Sequence, residues 1–554
     1  MKIRRIAGSV AVLAAGALVL AGCGGGSGSG TSGGGQTGVV TVNGSEPENP
    51  LIPTNTNETG GGKIIDLINS GLFYYDADGI PQPEIAASVT SDDKIVWTVA
   101  LDDGWVFSDG SPITAHSFVD AWNFGALSSN NQLNGYWFQD IEGFDALQAE
   151  TQDGQVIAPP EKTEMSGLVV LDDLTFTITL TSALADYPLR LGYAAYYPLP
   201  EAAFDDVDAY GRAPLSSGPY TIAENGWRHN QEIRLIPNDM YSGGRTPMNK
   251  GVTVKFYTGL DAAYNDLLSG NLDVLDSIPP SSFATFENEL GMRAVNQPAA
   301  IFQSFTIPQW LDHFTGAEGA LRRAAISHAI DRETITSTIF SGTRTPAVDF
   351  TSPVIDGWSD SIEGSDVLTY DPAKAVELWA QADAVSRWTG TFTIAYNADG
   401  GHQEWVDAVT NSIRNVLGIE AVAQSYGDFA TMRTDVNAAR NGAPSGLTGA
   451  WRSGWQADYP GLYNFLGALY GTGGSSNDGN YSDPAFDALL LQGNQAATLD
   501  EANGFFQESQ TILFKDLPAI PLWYSNVTGG FSTSVDGVVF GWNSVPLYWD
   551  ITKK

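Results

Sequence analysis

Five histidines, His116, His229, His313, His328 and His402, are the side chains first examined for metal ligation or proton transfer, and no two have a metal-site spacing such as HExxH. His116 and His328 each fall on an expected helix, where packing or capping accounts for them. A cysteine nucleophile is excluded, because Cys23 is the only cysteine and closes an apolar N-terminal run. Gly28 to Gly33 matches GxGxxG, and Gly30 to Gly34 matches GxSxG. Both lie in a run of Gly, Ser and Thr, not between a strand and a helix, so both are accidents of composition. Asp76-Ala77-Asp78-Gly79 offers a D-x-D-G piece without the rest of an EF-hand loop, and reads as a turn. A glycosidase needs two carboxylates flanking a sugar, and 64 Asp and Glu residues leave that chemistry open. No cofactor and no metal site are expected.

Cys23 takes its meaning from its flanks. Lys2, Arg4 and Arg5 form a basic start, Ile6 to Leu20 is apolar, and the run closes on Leu20-Ala21-Gly22-Cys23. The apolar stretch is short for a bilayer span, which needs about 20 residues. The pattern resembles a bacterial lipobox. Residues 1–22 are therefore expected to be a lipoprotein signal peptide, with Cys23 lipidated on the outer face of the bacterial cytoplasmic membrane. Residues 23–38 would form the lipidated end and a Gly/Ser tether with a reach of roughly 20 Å. A net charge of −37 argues against nucleic acid and against a polybasic membrane patch, and is explained by solubility.

The elements that must position any site follow in residues 39–554, too long for one core and expected to divide into two or three domains. Ile95–Leu101, Leu174–Leu180, Glu232–Ile236 and Val252–Tyr257 read as strands. Asp371-Pro372 and Asp483-Pro484 each place a capping Asp before a Pro at the first helical position. Leu321, Ala325 and Ala329 stripe another helix. No repeat and no coiled coil is present. Interleaved strands and helices indicate α/β lobes.

Five segments carry a resemblance. Leu101 to Trp122 reads as a strand, a turn through Ser108-Asp109-Gly110 and a helix opened by Thr114 with Phe118 and Trp122 inward. Ser217-Gly218-Pro219-Tyr220 precedes a strand, and Asn238 to Tyr241 ends the next, with Asp239 at a usual Pro position. Leu267 to Asp276 (LLSGNLDVLD) and Leu321 to Arg332 (LRRAAISHAIDR) follow, with packing roles. The fifth is Arg452-Ser453-Gly454-Trp455-Gln456-Ala457-Asp458-Tyr459. Together they resemble the peptide and nickel class of ABC-transporter extracellular solute-binding proteins, the oligopeptide-binding members in particular. The likeness continues through Tyr481 to Asp487 and Pro518 to Tyr524.

The resemblance implies a two-lobed, type II periplasmic-binding-protein clamshell with an extra β-rich domain inserted in lobe one. Lobe one would comprise 39–75, 196–297 and 518–554, the insertion 76–195, and lobe two 298–517. It implies a binding protein, not an enzyme: a monomer that captures short peptides and presents them to the permease and ATPase subunits of an importer, touching the membrane only through its lipid. In the family's R-x-G-W-x-A-D-Y segment the Asp pairs with a peptide's α-ammonium while the Trp and Arg line the cleft. That carries over to Asp458, Trp455 and Arg452, with Tyr459 beside them. The residue types suit those roles, since a desolvated cation needs a paired carboxylate, Trp gives a flat wall and Arg meets carboxylates bidentately. Glu58, in the early loop Asn57-Glu58-Thr59, is a further ligand-binding candidate. Other members of the class carry oligosaccharides, nickel chelates or haem, and those cargoes stay open at this point, as does a secreted glycosidase.

Overall fold

The computed structural model describes residues 38–152 and 155–554; Cys23, the signal segment and nearly all of the tether lie outside the described residues. One eleven-stranded sheet organises the chain. Val39–Gly44 runs parallel to Gly251–Phe256, with Val40 opposite Val252 and Val42 opposite Val254, all four buried. Covered on both faces, such strands read as nearly continuous apolar runs. The antiparallel pair Tyr220–Arg228 and Glu232–Pro237 extends this end of the sheet. At the other end Ala450–Gln456 lies parallel to Thr391–Asn397, which in turn lies parallel to Glu420–Tyr426.

Two 13-residue strands, Ala294–Thr306 and Ala519–Phe531, join the ends. They pair antiparallel from Ala294 opposite Gly530 to Thr306 opposite Ala519, and the register slips between Pro298 and Phe302. The slip coincides with a change of core. Ala299 and Val527 pack in a cluster with Val40, Ile64 and Val252. Ala300, Phe302 and Tyr524 pack in another with Ile394, Val409 and Phe465. Both crossing strands thus belong to two cores, and the ladder between them is interrupted at the border.

A third core lies beneath a separate four-stranded antiparallel sheet, Ala86–Thr90, Val96–Leu101, Thr175–Thr179 and Leu168–Asp172. Phe118 and Trp122 of the helix Ala115–Ala126 fill it, both wholly buried. This core draws on residues from Ile52 to Ala203 and also takes in Tyr459.

The local signals have physical counterparts. Asp371 accepts the Lys374 amide at 2.9 Å, and Asp483 accepts those of Ala485 at 2.8 Å and Phe486 at 2.9 Å, each cap standing before a Pro. Asp76 Oδ1 accepts the amides of Asp78 (3.0 Å) and Ile80 (2.9 Å), making a turn of the D-x-D-G piece. The helix Gly316–His328 buries Ala325 and, beyond the apolar stripe, Arg322 and Arg323. Among the described residues no helix is long and apolar enough to cross a membrane.

Candidate ligand-binding site

A cavity of about 330 Å³ opens where the Ala450–Gln456 strand ends, between that strand, the helix Thr59–Ile68, the Phe73–Tyr75 hairpin and the C-terminal stretch Trp542 to Trp549. Asp458 and Glu58 both line it. Arg452 and Trp455 line a second, smaller cavity of about 190 Å³ further back along the same strand, with Phe429, Arg433 and Asp478. Tyr459 lines neither. Its ring is 4% exposed and packs in the third core, its hydroxyl donates to Asp186 Oδ2 at 2.8 Å, and the Arg190 guanidinium lies 5.1 Å from its centroid. It fixes the segment's course from behind.

Asp458 is partly buried, and what holds it is Asn464, in the first turn of the helix Leu462–Tyr470. Asn464 Oδ1 accepts the Asp458 amide at 3.0 Å and the Trp455 indole N–H at 2.9 Å, while its Nδ2 donates to Asp458 Oδ2 at 3.2 Å. One amide therefore braces the carboxylate and the indole together. Desolvation pushes the Asp458 carboxyl above its ordinary value, and the single Asn464 bond opposes that only in part. Among the described residues no cation pairs with it. The charge lacks its complement.

Glu58 has a local task. It caps the helix Thr59–Ile68, both carboxylate oxygens accepting the Gly61 amide at 2.8 and 2.9 Å. Glycine is a weak helix former, but a Cβ on Gly61 would lie 2.4 Å from Glu58 Oε1 and 2.7 Å from Thr56 Cγ2. The missing side chain at Gly61 thus lets the cap close tightly. Two turns on from the cap, Asp66 lines the same cavity. Burial lifts its carboxyl to about 6, while the Arg245 charge and a 3.2 Å bond from the Tyr197 hydroxyl pull it down.

Arg245 is held in a buried bidentate pair with Glu84, Nε to Oε1 and Nη2 to Oε2 at 3.0 Å each. It also donates to the carbonyls of Asp66 (2.6 Å) and Asn69 (2.8 Å), between the rings of Tyr74 and Trp549 at 5.5 Å. In the smaller cavity, Arg452 Nε donates to Asn397 Oδ1 at 2.8 Å and its guanidinium covers the Phe429 ring at 4.7 Å.

Sequence reasoning missed Asn464, Asp66 and the Arg245–Glu84 pair. Asn464 alone left a trace, as a polar residue inside the apolar helix LYNFLGALY. Among the described residues no group of three or more His, Cys, Asp or Glu could hold a metal ion.

The fold is the mixed α/β one of type II periplasmic binding proteins. The murein tripeptide-binding protein MppA in its unliganded open form superposes with a TM-score of 0.78 at 20% identity, over 94% of this chain and 97% of that one. DppA from Helicobacter pylori, in complex with the peptide STSA, superposes with a TM-score of 0.68 at 20% identity, over 94% and 98%. The oligopeptide-binding protein OppA of Bacillus subtilis (strain 168) is 23% identical over 542 residues, 94% of each chain. Residues 81–477 match the model for bacterial extracellular solute-binding proteins, family 5 (middle). The chain belongs to that family, one of binding proteins and not of enzymes.

Proposed function

We propose that this chain captures short peptides outside the cytoplasmic membrane and delivers them to an ABC importer. The observation that carries this reading is Asp458: a desolvated carboxylate with no cation of its own, braced by Asn464 on the wall of an aromatic-lined cavity. A peptide's α-ammonium supplies the missing charge. Beyond it the strand Ala450–Gln456 leads to the second cavity, where the Arg452 guanidinium meets the carboxylate end of the ligand. A peptide lying along this route binds through main-chain hydrogen bonds, with its side chains in the pockets. The names of the relatives agree with this: OppA is called an oligopeptide-binding protein, and DppA, called ABC transporter-associated, was solved with a peptide bound.

Ligand contact with both sides of the cleft would favour closure by a hinge motion. The register slip at Pro298 to Phe302 is the place for it, since both crossing strands change cores there. In this reading 39–75, 196–297 and 518–554 form one lobe, 298–517 the other, and 76–195 an insertion in the first. Cys23 carries the lipid, and mass spectrometry of the mature N-terminus from membranes tests that by showing a diacylglyceryl-modified Cys23 or a bare one.

Calorimetry with a tripeptide and its N-acetylated form tests the peptide reading. Acetylation is expected to weaken binding by about 3–5 kcal/mol, the scale of removing one partner from a buried ion pair. Equal affinity for the two forms removes Asp458 from the proposed role.

A further inference from the structure

The charges lining the larger cavity are unbalanced in one direction. Four carboxylates face it, Glu58, Asp66, Asp76 and Asp458, against two cations, Lys63 and Arg245. Both cations are already matched from outside the lining, Lys63 by Asp276 and Arg245 by Glu84. Two of the carboxylates serve local structure, Glu58 as a helix cap and Asp76 in its turn. That leaves Asp458 and Asp66. They share a neighbourhood: burial raises the Tyr193 phenol, and Tyr136, Asp458 and Asp66 raise it further. Tyr74, Tyr75, Trp542 and Trp549 complete the wall. Carboxylates set among aromatic faces form the environment that a desolvated ammonium or guanidinium seeks.

We infer that this cavity selects peptides whose first residue carries a basic side chain, with Asp66 as the partner of that side chain and the determinant of the preference. The inference rests on the assignment of the α-ammonium to Asp458. A first-residue side chain branches from the same α-carbon that bears the ammonium and so enters the same cavity. Asp66 has a single side-chain hydrogen bond, from Tyr197, and its nearby cation is committed to Glu84. A lysine or arginine head group gives Asp66 the charge-assisted bond it lacks. An acidic first residue would instead add a fifth carboxylate to a lining with no uncommitted cation, where like charges disfavour one another.

The test is calorimetry on the folded mature chain with Lys-Ala-Ala, norleucine-Ala-Ala and Glu-Ala-Ala, each also N-acetylated. The lysine peptide is expected to bind roughly tenfold tighter than the norleucine peptide, the scale of one additional charge-assisted hydrogen bond, with the glutamate peptide weakest. In Asp66→Asn the lysine-to-norleucine ratio should fall towards one, and Asp66→Glu, which keeps the charge, should restore a preference for lysine. A wild-type ratio near one overturns the inference, as does a tenfold ratio that survives in Asp66→Asn. If the norleucine peptide binds in an acetylation-sensitive way without any lysine advantage, the peptide reading stands and this inference fails. If no free peptide binds, both fall. If the variants do not fold, the wild-type series still decides whether the cavity prefers a basic first residue.

Discussion

The two cavities along the Ala450–Gln456 strand differ in how their charged groups are committed. At the Asp458 end the lining cations are paired and a carboxylate is left without one. At the Arg452 end the charge is reversed and the arginines are engaged: Arg452 with Asn397 and Phe429, Arg433 with Asp478. Arg452 lies within the strand and Asp458 two residues past its end, six positions apart in the chain. The strand thus carries the base, and the bend that follows it carries the acid. A short zwitterion laid along this stretch finds one preferred direction, and the acidic end, with its desolvated carboxylates, should dominate the energetics.

Asp458→Ala is expected to have the largest effect, about 3–5 kcal/mol of peptide affinity by calorimetry. A loss as small as a surface ion pair's would break the asymmetry between the two ends. Arg452→Ala should cost about 2 kcal/mol against peptides with a free C-terminus and little against their amides. Equal losses for both would show that Arg452 serves packing on Phe429 and not ligand charge. Asn464→Ala should cost about 1 kcal/mol in affinity, since it leaves the Trp455 indole and the Asp458 amide without their acceptor. Trp455 fluorescence should shift in the unliganded variant, and an unchanged spectrum with unchanged affinity would remove Asn464 as the brace.

The smallest effect is on stability. Between the ordinary carboxylate value and about 6, the folded protein holds a proton at Asp66 that the unfolded chain has released. The folded state binds more protons in that window, so stability falls as pH rises through it. Asp66→Asn removes the cost of ionising this group. Its melting temperature should exceed the wild type's by roughly a degree or two at pH 7, the gap closing towards pH 4. A gap independent of pH would mean that the change acts through packing.

What was legible in the sequence follows from the range of the forces involved. The Asp371 and Asp483 caps act over two or three residues, and the strands Val96–Leu101 and Thr175–Thr179 announce themselves by β-branched and aromatic residues, so local reading finds both. Asp458 stood out as a charge in an apolar run, and the structure places it on a cavity wall. Tyr459, one residue on, looked alike in sequence yet turns into another core, because its partner Asp186 lies 273 residues away. Glu84 and Arg245 are 161 residues apart. Nothing local ties either pair together. The buried arginines show the same limit: Arg332 donates to the carbonyls of Pro521 (2.8 Å) and Leu368 (2.6 Å), and burial without a counter-charge lowers it to about 9. A periodicity that counts only apolar residues cannot see a cation held by carbonyls.

The Ala519–Phe531 strand has a consequence for how the molecule forms. It sits inside the sheet, between Val274–Leu275 and Ala294–Thr306, although it comes almost last in the chain. Closing that ladder joins residues more than two hundred positions apart, so loop entropy must be met before the contacts reward it. The sheet cannot be completed before residue 519 has been synthesised. The position of a single strand thereby keeps the sheet open until nearly all of the chain is available.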